Sequence, residues 1–299
     1  GGSNTTPGGG GSNTTPGDGG NDTTPGGGGS NAAPDDTVEE PDDIEVPGDV
    51  AVPKDIYVTK SLDTIIGAGL YSYVPYLIEN GKSTLIKWCG IVGNTVVFKI
   101  PEDGIYEYRD NKKVFNDISG HWAENTITAI TSREIFSGLG EAKFDPNGGM
   151  TRAMFATVLA RIDEADLSKY KTSAFKDVSI NDWYGATVAW ANDKGILSGY
   201  GDGVFAPNEF ITREQMAVML NNYLKYKGIT LPSNESITSF ADIEQVSVWA
   251  KDSVTEMKRM GLIQGSGNNN YLPKATANRA SVAQIFMNVI NAVVVNSNK

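Results

Sequence analysis

The clearest pattern of apolar positions along the chain is helical, and it occurs three times between residues 115 and 290. In each copy, apolar side chains recur at i, i+3, i+4 and i+7, the spacing of one face of an amphipathic helix. Each stretch follows an arginine: Arg152, Arg213 and Arg279. A residue of the N-cap type, whose side-chain oxygen accepts a backbone N–H, stands before each one: Thr151, Thr212 and Asn278. The sequence therefore predicts that a helix begins at each arginine.

A second helix is predicted upstream in each copy. It starts near a tryptophan: Trp122, Trp183 and Trp249. In the second and third copies it ends at Gly195 and Gly261, glycines of the kind that terminate helices, whereas the first copy has Glu134 there. A loop of about 15 residues connects the two helices of each unit. Such a unit is too small to bury its own apolar stripes, so we expect three of them to pack in a pseudo-threefold body.

The pattern changes upstream, where residues 54–114 are rich in β-branched and aromatic residues. Turn signals such as Asn80-Gly81 separate short runs of this kind. The predicted strands are 56–59, 73–78, 84–88, 95–100 and 105–108. We expect a small antiparallel β unit that carries no catalytic residues.

Residues 1–53 show no apolar periodicity. Prolines recur every nine residues, at Pro7, Pro16, Pro25 and Pro34, and the segment contains ten acidic residues but no Lys or Arg. Such a composition predicts a disordered tether. The whole chain has a net charge of −11, so residues 54–299 are almost neutral.

Charge and composition exclude several classes of function. An acidic chain lacks the basic footprint that a nucleic-acid partner requires. No run of 18 apolar residues is present, so we expect no membrane span. Cys89 and His121 are the single cysteine and histidine, which excludes an internal disulfide and a Cys/His zinc cluster. We expect no cofactor and no metal, and we interpret Cys89 as a buried apolar residue and His121 as a local polar one.

The three copies share landmarks at fixed spacing, without insertions between the tryptophan and the arginine. Relative to the tryptophan, a glycine follows at +16, an aromatic residue at +22, a proline at +24 and the arginine at +30. An aspartate precedes each tryptophan within a Phe-x-Asp motif. The glycines and aspartates are Gly138, Gly199, Gly265, Asp117, Asp177 and Asp242.

Two interpretations of these landmarks stay open from the residues alone. The arginines either pair with the aspartates, or combine with free helix N–H groups into an anion site. The tryptophans are either buried at the helix starts or present a flat face to a sugar ring. We interpret the glycines as turn residues with positive φ, which also allow a ligand to approach the backbone.

Together these motifs resemble the S-layer homology family. The resemblance rests on Phe115-Asn116-Asp117-Ile118, on the Gly195–Gly203 stretch with Phe205 and Pro207, and on the pair Thr212-Arg213. It covers residues 115–290, about 60% of the chain. The predicted organisation is a linker at 1–53, a β-rich unit at 54–114, and three mainly helical repeats at 115–165, 175–228 and 240–292.

The resemblance implies that grooves between repeats bind secondary cell-wall polysaccharide of Gram-positive bacteria, typically through pyruvylated N-acetylmannosamine. In the family the arginine of the Thr-Arg motif is a principal ligand contact, which carries over to Arg152, Arg213 and Arg279. The tryptophans, aspartates and glycines above, with Thr151 and Thr212, are candidates for forming the grooves. Because repeat three departs most from the motif, we expect the groove using Arg279 to be the weakest.

The predicted function is thus a non-catalytic anchor at the cell surface, monomeric, for a cargo domain elsewhere in the same polypeptide. One alternative is a structural protein whose repeats assemble into a surface lattice. Another is a fragment of a glycan-active enzyme that uses paired carboxylates, but no such pair recurs with the repeats.

Overall fold

The computed structural model describes residues 69–93, 95–99 and 104–296, together with the backbone of residues 44–45, 57–61 and 68. The predicted tether at 1–53 lies outside these residues, except for the short strand Ile44–Glu45.

Among the described residues, seven strands form two antiparallel sheets, six of them within the β-rich unit and one, β1, from the predicted linker. One sheet has the order β1-β7-β3-β4 and the other the order β2-β6-β5. Apolar and aromatic side chains such as Val74, Phe98 and Tyr106 form a small core of their own. The strands are β1 Ile44–Glu45, β2 Tyr57–Ser61, β3 Tyr73–Glu79, β4 Lys82–Leu85, β5 Cys89–Val92, β6 Thr95–Lys99 and β7 Ile105–Asp110.

The predicted strand at 84–88 is wrong in its second half. The strand β4 ends at Leu85, and a new strand, β5, begins at Cys89 in the other sheet. Between them, Lys87 donates to the carbonyl oxygen of Arg161 at 2.9 Å and the Trp88 indole donates to that of Ile162 at 3.2 Å. The chain leaves the first sheet because these side chains bind the end of a helix in the first repeat.

Six α-helices build the repeats, two in each. The prediction that a helix begins at each arginine is confirmed. The Thr151 and Thr212 hydroxyls accept the N–H groups of Met154 and Gln215, and the side chain of Asn278 accepts that of Ser281. The helices are α1 Glu124–Ser132, α2 Arg152–Asp163, α3 Gly185–Asp193, α4 Arg213–Tyr226, α5 Val248–Arg259 and α6 Arg279–Asn296.

The upstream helices end as their sequences indicate. Gly195 and Gly261 take left-handed backbone conformations, with φ of 66° and 73°. At the same position in the first repeat, Glu134 has φ of 55°. The first repeat therefore makes the same turn without glycine, at the conformational cost that a side chain adds in this region.

The helices connect the repeats in a closed cycle. Helix α2 of the first repeat packs on α3 of the second, α4 of the second on α5 of the third, and α6 of the third on α1 of the first. One apolar core extends through all three repeats. The described part of the repeats is thus mainly helical.

The β-rich unit packs against this body. Strand β5 lies on α6, where the N–H of Ile91 donates to the Asn291 side chain at 2.8 Å. A Cβ on Gly90 would lie 2.5 Å from Val294, so only glycine lets strand and helix approach this closely. At the preceding residue of β5, the carbonyl oxygen of Cys89 accepts a hydrogen bond from the fully buried Arg133 of the first repeat, at 2.7 Å.

Candidate functional site

Each repeat arginine crosses to the loop of the next repeat in the cycle. The Nε of Arg152 donates to the carbonyl oxygen of Phe205 at 2.8 Å, and its Nη2 to that of Ser198 at 3.0 Å. Its guanidinium lies over the Phe205 and Tyr200 rings, 4.5 and 4.6 Å from their centroids. The arginine therefore fastens one repeat to the next by directed hydrogen bonds and ring stacking.

The other two arginines repeat this geometry. Arg213 donates to the carbonyl oxygens of Tyr271 and Gln264 in the third repeat, at 2.6 and 2.9 Å. Arg279 closes the cycle by donating to those of Phe144 and Ser137 in the first repeat, at 2.7 and 2.8 Å. Arg152 and Arg279 are buried whereas Arg213 is partly exposed. Burial lowers the pKa of Arg279 to about 10, so it remains charged at neutral pH.

Neither interpretation of the arginines is correct as stated. Among the described residues, no ion pair joins any of the three to an aspartate. The first N–H groups of the helices are also engaged: in α2, those of Arg152 and Ala153 donate to the carbonyl oxygens of Glu209 and Pro207. The equivalent bonds form at α4 and α6. The first N–H groups of these helices are therefore engaged by backbone of the next repeat in the cycle.

The aspartates organise the loops. Asp117 accepts the N–H groups of Phe144 and Asp145, with distances of 2.9 and 2.7 Å. Asp177 and Asp242 bind their loops in the same way. Partial burial raises the pKa of Asp117 and Asp177, but the backbone N–H donors outweigh it and hold both pKa values below their ordinary range. Each aspartate thus fixes the loop that carries the carbonyl acceptors of an arginine.

These pKa shifts predict that acid weakens the fold. Because the folded-state pKa is the lower one, the stabilisation is present above the unfolded pKa near 4 and is lost as the pH falls through the folded value. We expect Asp177→Asn to lower the free energy of unfolding at pH 7 by about 1–2 kcal/mol and to flatten its fall between about pH 5 and 2.

Urea denaturation across this pH range measures the effect. The matched control is Asp252→Asn, which changes an exposed aspartate on α5. A pH profile of Asp177→Asn that parallels the unchanged chain would show that this carboxylate does not link protonation to folding.

Two grooves lie between the repeats, and three repeats contribute to each. The first groove has a volume of about 330 Å³ and is lined by the Ser137-Gly138 loop, helix α2, Trp183 and Arg279. The second has a volume of about 470 Å³ and is lined by the Ser198-Gly199 loop, helix α4, Trp249 and Arg152. The pattern is the same: loop and helix of one repeat, the tryptophan of the next, and the arginine of the previous one.

By the same pattern, Arg213 of the second repeat contacts the loop of the third repeat. Its acceptor Gln264 stands beside Gly265, and the following loop is Gly267-Asn268-Asn269-Asn270. The expectation of a weak groove at Arg279 came from the divergence of repeat three, but Arg279 lines the first groove, and the loop of repeat three receives Arg213. Arg279 instead shares the first groove with Arg161, a second cation.

The tryptophans are exposed, not buried. Their relative exposures are 64%, 63% and 58% for Trp122, Trp183 and Trp249. Trp183 and Trp249 line the grooves, and Trp122 stands beside His121, whose ring centroid is 5.4 Å away. Exposed indole faces at a groove rim offer apolar area to a ligand.

The glycines 16 residues after each tryptophan, Gly138, Gly199 and Gly265, do not have positive φ, contrary to the prediction. A Cβ on Gly199 would lie 2.3 Å from the carbonyl oxygen of Val204, and one on Gly138 would lie 2.7 Å from that of Lys143. Gly265 is less tight, at 2.9 Å from the Asn270 oxygen. These glycines allow two loop strands to meet closely. Positive φ occurs two residues later, at Gly140, Gly201 and Gly267.

Four groove residues were missed by the sequence reasoning. Tyr200 and Gln215 hydrogen-bond to each other at 2.8 Å in the second groove, where Asn222 also lies. Arg161 occupies the position of Asn222 in the first groove. Gln215 lies two residues after its repeat arginine, and Asn222 and Arg161 each lie nine residues after theirs. This spacing alone does not show that the side chains face a groove.

The described residues contain no group of three His, Cys, Asp or Glu side chains arranged to hold a metal ion. No helix in the described ranges is long and apolar enough to cross a membrane.

Comparison with known proteins identifies the repeats. The family model for the S-layer homology domain matches residues 114–156, 174–217 and 239–283. Relatives include an amylopullulanase of Thermoanaerobacterium thermosulfurigenes, 32% identical over 66% of this chain and 10% of the relative. An S-layer protein of Bacillus thuringiensis subsp. finitimus is 30% identical over 58% of this chain and 21% of its own length.

A third relative is a cellulosome-anchoring protein of Acetivibrio thermocellus, 30% identical over 48% of this chain and 32% of the relative. The chain thus spans a tenth to a third of the length of these relatives. Their match and the three family-model matches place it among cell-surface proteins of Gram-positive bacteria. Residues 114–283 are therefore three tandem S-layer homology domains.

Proposed function

We propose that the repeats anchor their polypeptide to the cell wall by binding an acidic polysaccharide, and that they do so without catalysis. The observation that carries this proposal is the make-up of the two grooves. Each combines a guanidinium, Arg279 or Arg152, with an exposed indole, Trp183 or Trp249. A carboxylate on a sugar suits the guanidinium, and the sugar ring suits the indole face.

Other features of the grooves support binding over hydrolysis. Neither groove is lined by Asp, Glu or His, the usual general acids and bases. The cyclic contacts of the three arginines favour a pseudo-threefold body, in which grooves on different sides engage one polymer together. The anchored cargo is a further part of the same polypeptide.

The carboxylate that fits best is a pyruvate ketal on an N-acetylmannosamine, as the family resemblance implies. Calorimetric titration of the chain with purified wall polysaccharide, before and after removal of pyruvate, tests this ligand. We expect binding that requires the pyruvate. Equal binding after its removal would exclude the ketal, and binding to neither form would exclude the anchor.

Trp249→Ala separates a binding defect from a folding defect. Trp249 is exposed and lines the second groove, so we expect polymer affinity to fall about tenfold while the folded state is retained. The matched control is Val248→Ala, because Val248 is the adjacent residue of α5 and is 91% exposed.

Calorimetry with the intact polymer measures both variants. An affinity loss shared by Val248→Ala, or no loss in Trp249→Ala, would remove the tryptophan from the site. If the purified chain forms ordered two-dimensional arrays and does not bind the polymer, lattice assembly would be favoured.

A further inference from the structure

A second cavity opens directly beside the first groove. It has a volume of about 540 Å³, and it shares Phe136, Ser137, Gly138 and Arg161 with that groove. We name it the side cavity; its other walls include Phe115, Lys113 and Lys143. The groove and the side cavity therefore adjoin along the first repeat, and Arg161 lines both.

Two guanidinium groups line the first groove, those of Arg161 and Arg279, and only that of Arg161 also lines the side cavity. Arg161 is partly buried, which lowers its pKa, and its Nη1 donates to the Ser137 hydroxyl at 2.6 Å. In the part of the chain that the structure describes, no ion pair joins Arg161 to an acid. Burial is the main cause that lowers the Arg279 pKa, and the charge of Arg161 adds to it, against opposing effects of Asp145 and Asp117. The two guanidinium groups are thus close enough for one to lower the pKa of the other.

Two lysines carry the positive charge into the side cavity. Lys143 is exposed and lies near Asp117, whose carboxylate is already engaged by backbone N–H groups. Lys113 forms an ion pair with Glu134 at 3.4 Å. Glu134 is the one acidic residue on the cavity wall, so the walls keep an excess of two positive charges.

The other repeats show that the fold does not need these cations. At the position of Lys143 they have Val204 and Asn270, and at that of Arg161 they have Asn222 and Asn288. Lys113 corresponds to Ser173 and Thr238. Three uncharged pairs of residues support the same loop-and-helix geometry, so the charge in the first repeat serves something other than folding.

We propose that the side cavity is a second anion subsite, which takes a carboxylate or phosphate group on a sugar next to the one bound in the first groove. Lys113 and Lys143 contact that group, and Arg161 lies between the two subsites. Phe115 and Phe136 supply an apolar wall for the sugar. The inference rests on the proposed function and adds to it that the first repeat selects glycans with two neighbouring negative groups.

The double variant Lys113→Gln with Lys143→Gln tests this subsite in the full chain. One probe is the purified wall polysaccharide, and the other is a monosaccharide with a single pyruvate ketal. We expect polymer affinity to fall about tenfold and its salt dependence to weaken, because two charge-assisted contacts are lost. Affinity for the monosaccharide should stay unchanged, since it occupies only the first groove.

Two further variants make the test specific. Lys171→Gln with Lys176→Gln removes the same charge from exposed residues that line neither groove nor side cavity, and should leave polymer affinity unchanged. Glu134→Gln frees Lys113 and should strengthen polymer binding about threefold.

The outcomes are distinct. Unchanged polymer affinity in the Lys113/Lys143 variant, or equal loss in the Lys171/Lys176 control, overturns the second subsite while the anchor stands. An unaltered chain that binds neither probe overturns the anchor and the subsite together. Phosphate removal from the polymer that abolishes the lysine effect would identify phosphate as the second group, and a lysine effect that persists after phosphate removal would identify a carboxylate.

Discussion

Replacement of Arg279 by alanine is expected to lower the free energy of unfolding by about 3 kcal/mol. The side chain is buried, donates to two carbonyl oxygens of the first repeat, and stacks 4.5 Å from the centroid of the Phe144 ring. Alanine leaves both acceptors without their donor and opens a cavity beside the ring. Because these contacts join the last repeat to the first, their loss weakens the closure of the cycle.

The three arginines should differ in a defined order. Arg152→Ala should cost about as much as Arg279→Ala, since Arg152 is equally buried and makes the equivalent contacts. Arg213→Ala should cost about half as much, because Arg213 is partly exposed and water replaces part of what is lost.

Denaturant unfolding of the full chain measures these differences. The control is Arg259→Ala, a substitution in the same repeat that removes a surface ion pair with Glu235 and should cost less than about 0.5 kcal/mol. An Arg279→Ala variant as stable as Arg259→Ala would show that the cycle closes without this arginine.

The expected cost also bears on function. An arginine that holds two repeats together cannot be removed without disturbing the groove it lines, so lost binding in such a variant has two explanations. The groove tryptophans do not have this ambiguity, because they are exposed. For the arginines, affinity is informative only when the folded fraction is measured alongside it.

Local features of the fold were predictable from the sequence. A helix start depends on a cap and on apolar spacing within about two turns, so Thr151 and Arg152 were sufficient to place α2. The ends of α3 and α5 were predictable for the same reason, because Gly195 and Gly261 terminate these helices through their own backbone conformation. The prediction of a strand at 84–88 failed because the path of residues 87 and 88 depends on hydrogen bonds to helix α2, far along the chain.

The candidate site was predictable in its residue types and not in its pairings. Arg279 binds the carbonyl oxygen of Phe144, 135 positions away, and no spacing within one repeat reveals that partner. The sequence therefore identified the arginines without the loops of the neighbouring repeats that they bind. Arg161 was missed because helical spacing alone does not show that its side chain lines both a groove and a cavity.

Gly199→Ala should be the most damaging of the loop substitutions, with a cost of about 3 kcal/mol. The added Cβ would lie 2.3 Å from the Val204 carbonyl oxygen and 2.8 Å from the Phe175 ring. The backbone oxygen cannot move aside, because it accepts the Tyr200 N–H at 2.8 Å. The loop must shift instead, and with it the Ser198 oxygen that holds Arg152.

The equivalent glycines provide matched controls for this substitution. Gly265→Ala meets its nearest atom, the Asn270 oxygen, at 2.9 Å and should cost about 1 kcal/mol, with Gly138→Ala between the two. Since φ is not positive at these positions, the order reports steric approach alone. Urea unfolding of the three variants measures it. Equal costs in all three would mean that the glycines serve a shared backbone requirement, and the different closeness of the loop strands would then be irrelevant to stability.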